Sequence, residues 1–125
     1  MKATSVVLDH FTKPRNVGTL AAPCGEGLAG SPPGQPFMRM QVRIAENCIQ
    51  EARFLTYGCV PAIAAGSYLT SVVTGMQVSE ALLLQSRWLI TSLGGLPPSR
   101  EFCADLAVGA LHSAITDALQ KEDGE

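Results

Sequence analysis

No apolar run in this chain approaches the roughly 18–20 uninterrupted residues that a membrane helix needs, so a membrane-spanning reading is excluded at the outset. Nor is there a Lys/Arg cluster: nine basic residues are scattered against eleven acidic ones for a net charge of −2, which leaves no electrostatic footprint for nucleic acid or anionic lipid. The N-terminus reaches Asp9 after only Val6, Val7 and Leu8, too soon for the apolar core of a secretory signal. Export is therefore not expected. A cytoplasmic location follows, in which the four cysteines, Cys24, Cys48, Cys59 and Cys103, stay reduced and serve packing, metal binding or reactivity rather than disulfides. No C-x-x-C pair, His-rich cluster or internal repeat occurs, so spacing alone finds no zinc site.

What is present describes one soluble globular domain: 125 residues, 46% of them hydrophobic and 16% charged, enough chain to bury a core without metal or disulfide help. Thr4 to Phe11 suits a short helix stopped before Pro14. From Val17 to Gln35 the Gly- and Pro-rich chain fits extended or turning backbone with at most one short strand. Met38, Met40, Val42 and Ile44 then alternate with Arg39, Gln41 and Arg43, the period of a strand buried on one face. Ala45 to Cys48 supplies a turn, and Ile49 to Tyr57 a second strand pairing back antiparallel.

Beyond Cys59 the period changes. Pro61 fits a first helical turn, and Ala62, Ala65, Leu69, Val72 and Met76 recur at helical spacing towards Gly75. Ser79 is placed to cap a short helix through Gln85, Arg87 to Leu93 reads as another, and Gly94-Gly95 ends it. A final helix from Glu101 to Gln120 carries Cys103, Leu106, Ala107, Ala110, Ala114 and Ala118 on one stripe, followed by a frayed polar tail. The order predicts an α+β fold, a small antiparallel sheet of about three strands with four to five helices on one face.

Cys59 lies where a strand ends and a helix begins, so its sulfur is expected to face the helix N–H groups that favour thiolate over thiol; as a small hydrophobe filling the junction it needs no such role. Cys103 on an apolar stripe is equally explained as core. Cys24 in the Gly/Pro loop and Cys48 in the hairpin turn read as incidental thiols. His112, nine residues from Cys103, lies about 180° around its helix from that residue, and His10 is no better placed.

Three ordered segments resemble the IscU/NifU N-terminal-domain family over nearly the whole chain. Leu8-Asp9-His10-Phe11-Thr12-Lys13-Pro14-Arg15-Asn16-Val17-Gly18 is similar to its opening segment. Ala52 to Ala64, with Thr56-Tyr57-Gly58-Cys59 at its centre, resembles its strand-to-helix junction, and Leu96-Pro97-Pro98-Ser99-Arg100-Glu101-Phe102-Cys103 resembles the segment leading to its last site residues.

The resemblance implies an iron-sulfur cluster assembly scaffold rather than an enzyme. Its implied partners are a cysteine desulfurase and an Hsp70/J-type chaperone, the latter docking on Leu96, Pro97, Pro98, Ser99 and Arg100. The family site uses three cysteines and a histidine with an aspartate nearby. Cys59 and Cys103 match two of the cysteines, whereas Gly34 falls at the first cysteine, Pro36 at the aspartate and Phe102 at the histidine, where its ring is expected to bury the vacated pocket.

The implied cargo is a [2Fe-2S] cluster, iron or zinc held through Cys59 and Cys103, completed by a second subunit in a homodimer, by glutathione or by a partner protein. A metal-free docking module and a persulfide carrier on Cys59 stand as alternatives. Shared coordination requires the two sulfurs to lie about 3.5–4 Å apart.

Overall fold

A computed structural model describes residues 3–31, 35–57 and 59–123. The elements in chain order are α1 (Ser5–Thr12), β1 (Gly25–Gly30), β2 (Phe37–Ala45), β3 (Cys48–Tyr57), α2 (Val60–Val73), α3 (Val78–Ala81), α4 (Ser86–Ser92), a 3₁₀ turn (Pro98–Arg100) and α5 (Phe102–Asp123). The strands form one antiparallel sheet in the order β1-β2-β3, the α+β arrangement expected.

The alternation in β2 has the predicted consequence. Met38, Met40 and Val42 are fully buried and meet Ala52 and Phe54 of β3 on the same face, and α2 and α5 cover that face. The opposite face carries Arg39, Gln41, Arg43, Glu51 and Arg53, with Arg43 and Arg53 ion-paired to Glu51. Helix α5 is long and apolar enough to cross a membrane by length and composition, but its stripe of Ala107, Ala110, Ala114 and Ala118 is buried in the core.

That stripe is small because β1 is glycine-rich on its inner face. A Cβ at Gly25 would stand 2.2 Å from the carbonyl oxygen of Ala114, and one at Gly27 would stand 2.4 Å from that of Ala110, so helix and strand meet backbone to backbone. Asp117 on α5 accepts from the Glu26 N–H at 2.9 Å and so satisfies a donor on the outer edge of β1 that no strand pairs. This bond, with help from Lys121, holds the Asp117 carboxyl below its ordinary range. At the other edge, Phe54 of β3 donates to Asn16 and accepts from the Gly18 N–H.

Four boundaries differ from expectation. Cys48 is the first residue of β3, paired with Ala45, because Glu46 and Asn47 alone make the turn with φ of 54° and 64°, the left-handed pair that suits a two-residue hairpin. The short third helix spans Val78–Ala81 and is capped by Gln77 rather than Ser79. The cause is tertiary: Gln77 is held extended by a bridge to Cys48, and the Val78 N–H bonds the Asn47 carbonyl, so the helix begins one residue before Ser79. Helix α4 starts at Ser86. Helix α5 starts at Phe102 and continues to Asp123, past the point where the polar tail was expected to fray.

Candidate functional site

Cys59 is the residue before α2 and serves as its N-cap in extended conformation, φ −103° and ψ −178°. Pro61 at the second helical position lacks an N–H, at a place where none is needed for the helix ladder. Cys59 thus stands at the helix start as expected, although its sulfur makes no capping hydrogen bond to the first turn. The thiol instead meets Cys103, with the two Sγ atoms 3.7 Å apart. Cys103 arrives from the first turn of α5, which the Gly25 and Gly27 contacts press onto the sheet. Two helix N-termini, 44 residues apart in sequence, thus deliver two thiols to one point.

The pair forms the floor of a cleft of about 350 Å³ whose walls include Pro36, Tyr57, Arg100 and Phe102. Cys103 is fully buried and Cys59 half-buried. Burial pushes the Cys103 thiol up to about 12, and the neighbouring Cys59 adds to the shift while the Arg100 guanidinium opposes it. Phe102 does not bury the pocket as expected. It is 37% exposed, since the first turn of α5 turns Cys103 and Ala104 inward and leaves the preceding position on the solvent side.

Cys59 and Cys103 are both in reach of one ion. In a tetrahedral ZnS₄ site with bonds near 2.3 Å, two sulfurs sit roughly 3.8 Å apart, so the observed pair spans one tetrahedral edge without rearrangement. Among the described residues the remaining donors are missing. Pro36 and Phe102 offer no side-chain donor, Gly34 lies outside the described residues, and among the described residues no group of three or more His, Cys, Asp or Glu could hold a metal. The described residues therefore fit half of a four-ligand shell and not a whole one.

The other sequence candidates go elsewhere. Cys24 sits at the far end of the sheet, where its Sγ accepts from the Ile44 N–H at 3.3 Å in a hollow lined by Ala118 and Leu119. Fifteen residues of α5 separate Ala118 from Cys103, about 22 Å of helix. Cys48 begins the strand whose other end leads to Cys59. His10 bonds Ser67 on α2 at 2.7 Å, and His112 bonds the Ala81 carbonyl at 3.0 Å. Of the expected docking residues, Leu96 packs against the core, Pro97 is half-buried, and Pro98, Ser99 and Arg100 are exposed beside the cleft.

Sequence reasoning did not assign Tyr57 to the site. Its signal was available, since the outward-facing positions of β3 end at Tyr57, two residues before the cysteine.

Comparison with known proteins follows the same outline. The family model described as NifU-like N terminal domain matches residues 2–124. The iron-sulfur cluster assembly scaffold protein IscU of Aquifex aeolicus is 41% identical over 118 residues, covering 93% of this chain and 75% of that protein. IscU 1 of Archaeoglobus fulgidus is 37% identical over 115 residues, covering 92% and 75%. Among solved structures, the N-terminal part of a nitrogen-fixing NifU-like protein from Brucella abortus superposes with a TM-score of 0.75 over 94% of each chain at 14% identity, a likeness of fold.

Proposed function

The chain belongs to the NifU N-terminal-domain family, and on that premise we propose that it acts in iron-sulfur cluster assembly as a scaffold, holding a nascent [2Fe-2S] cluster or its metal as cargo through Cys59 and Cys103. The observation that carries the reading is the 3.7 Å separation of the two sulfurs in an open cleft. It is too long for a disulfide bond of about 2.05 Å and matches the spacing of two thiolates on one tetrahedral ion. The names of the relatives support a scaffold over a metal-free docking module or a persulfide carrier.

The role needs no catalytic group. Because Cys103 is held firmly protonated, loading displaces its proton, so binding is proton-coupled and strengthens as pH rises. Arg100, close enough to oppose the upward shift of Cys103, favours the thiolate form the cargo requires. We take the sulfide to come from a cysteine desulfurase, and the exposed Pro98, Ser99 and Arg100, with Leu96 and Pro97 as their anchor, to be the docking segment for an Hsp70-type chaperone.

The reading is tested by anaerobic reconstitution with ferric iron and sulfide, with and without added glutathione. A visible chromophore is expected, and Cys59→Ser or Cys103→Ser should abolish it. Colourless, iron-free protein in both conditions overturns the proposal.

A further inference from the structure

Resting on the scaffold reading, we infer a second chemistry at the same two sulfurs: before cargo is loaded, a small hydroperoxide oxidises Cys59 and Cys103 closes on it, giving a reversible intramolecular disulfide that shuts the site. The geometry carries this. The two Sγ atoms stand 3.7 Å apart, close to van der Waals contact, so no other atom fits between them. Reaching the bonded length of about 2.05 Å requires each sulfur to approach by about 0.8 Å, which a small rotation of each side chain supplies. The Cys59 sulfur is free to turn, since it makes no capping bond to α2.

The incomplete ligand set is what brings the thiols together. Four donors around one ion would hold two sulfurs on a tetrahedral edge and occupy their lone pairs. Here Pro36 and Phe102 supply no donor, and among the described residues no group of three or more His, Cys, Asp or Glu could hold a metal. Nothing in the described part of the chain therefore keeps the two thiols from each other until cargo arrives.

Exposure sets the order of events. Cys59 is half-buried in a cleft of about 350 Å³, wide enough for a small hydroperoxide, whereas Cys103 is fully buried. The oxidant meets Cys59 first, and the sulfenic acid forms against the thiol that touches it. The other two cysteines are placed elsewhere: Cys24 is turned to the Ile44 backbone in a separate hollow, and Cys48 starts β3 at the end away from Cys59.

The steps balance. The Cys59 sulfur takes one oxygen of hydrogen peroxide; the O–O bond breaks, the S–O bond forms and water leaves. The Cys103 sulfur then attacks the Cys59 sulfur; the S–S bond forms, the S–O bond breaks, and the hydroxyl departs with the Cys103 proton as a second water. Two thiols have lost two electrons and two protons, which the peroxide has taken up. A dithiol reductant reverses the bond by exchange. The bond ties the first turn of α5 to the residue that opens α2 across 44 positions of the chain, so the oxidised fold is the more stable one. It also consumes both thiolates that the cargo requires, so oxidation and loading exclude each other.

The test takes the full chain, reduced with a dithiol and freed of metal by a chelator, and adds hydrogen peroxide stoichiometrically. Intact mass should fall by about 2 Da for the two hydrogens lost, peptide mapping without reductant should join Cys59 to Cys103, and Tm should rise by at least about 5 °C. The oxidised chain should take up at least about tenfold less iron in anaerobic reconstitution, and dithiol should restore uptake. Cd²⁺ bound beforehand should slow formation of the bond at least about tenfold. In Cys103→Ala, Cys59 should stop at the sulfenic acid and be trapped by dimedone. Sulfinic or sulfonic acid on Cys59 with Cys103 still a thiol, or bonds made through Cys24 or Cys48, overturns the inference; if the reduced chain reconstitutes normally, the scaffold reading stands without it. Iron uptake equal in the oxidised and reduced chains overturns the closure of the site. A Cys59–Cys103 bond in a chain that holds no iron even when reduced upholds the coupling of the thiols and overturns the scaffold reading instead.

Discussion

Adding one methyl group to β1 should cost more than any other single-methyl change at the helix–sheet contact. In Gly27→Ala the new Cβ would stand 2.4 Å from the Ala110 oxygen, 2.4 Å from the Ala114 nitrogen and 2.8 Å from the Ser113 carbonyl carbon. All three are backbone atoms of α5, so no side chain can rotate away, and restoring ordinary contact requires the helix to lift by at least about 1 Å. Overpacking of this kind costs about 1–3 kcal/mol, and with backbone on both sides the upper end applies. For a domain of this size that corresponds to a fall in Tm of roughly 10–15 °C. The control is the same chemical change at a position of the same helix that has room for it. At Gly109 the nearest atom to a new Cβ is the Ala29 Cβ at 3.6 Å, so Gly109→Ala should raise stability by about 0.5–1 kcal/mol through helix propensity. Thermal and urea unfolding followed by far-ultraviolet circular dichroism measure both. If Gly27→Ala stays within about 0.5 kcal/mol of the unaltered chain, or the two variants shift in the same direction, the backbone contact between β1 and α5 is not as described.

The thiols should differ in reactivity. At pH 8 a group pushed up to about 12 is thiolate in roughly one molecule in ten thousand, so iodoacetamide should label Cys59 well before Cys103 in native protein, and Cd²⁺ should protect both; equal labelling rates in peptide mass mapping would contradict the buried pair. His10 is held below its ordinary value, first by burial and then by Arg15. Its contribution to stability is therefore complete above the unfolded pKa of about 6.5 and lost as pH falls through that value towards the folded one. His10→Asn should flatten the urea midpoint between pH 7.5 and 5, and an unchanged slope would refute the assignment; Asp117, whose carboxyl titrates lower still, does not enter this window. At the hairpin, replacing Glu46-Asn47 by Asn-Gly should stabilise by about 0.5–1 kcal/mol, because both positions hold the left-handed backbone that Asn and Gly adopt most readily. Guanidinium unfolding measures this, and a loss of stability would mean the turn is not the two-residue type.

The elements legible in the sequence were those whose own periodicity reports their environment. Met38, Met40 and Val42 announce a strand buried on one face, and the alanine stripe of α5 announces a helix packed close. Cys59 stood out through its place between Tyr57 and Pro61. The short helix after α2 was misplaced because its start depends on a backbone bridge from Gln77 to Cys48, a contact between residues 29 apart that no local preference encodes. The exposure of Phe102 was misjudged for a related reason. Sequence names the residue in the position but not the direction in which the first helical turn sends it.

The candidate site divides along the same line. Local sequence determined that each of two cysteines sits at a helix start and that the neighbouring family positions carry no donor, since capping, proline placement and side-chain chemistry are properties of a few consecutive residues. Only the tertiary structure decided that the two thiols meet at 3.7 Å. That distance depends on how closely α5 settles on β1, set by glycines far from either cysteine in sequence, and on the strand register that aims β3 at the same end of the sheet.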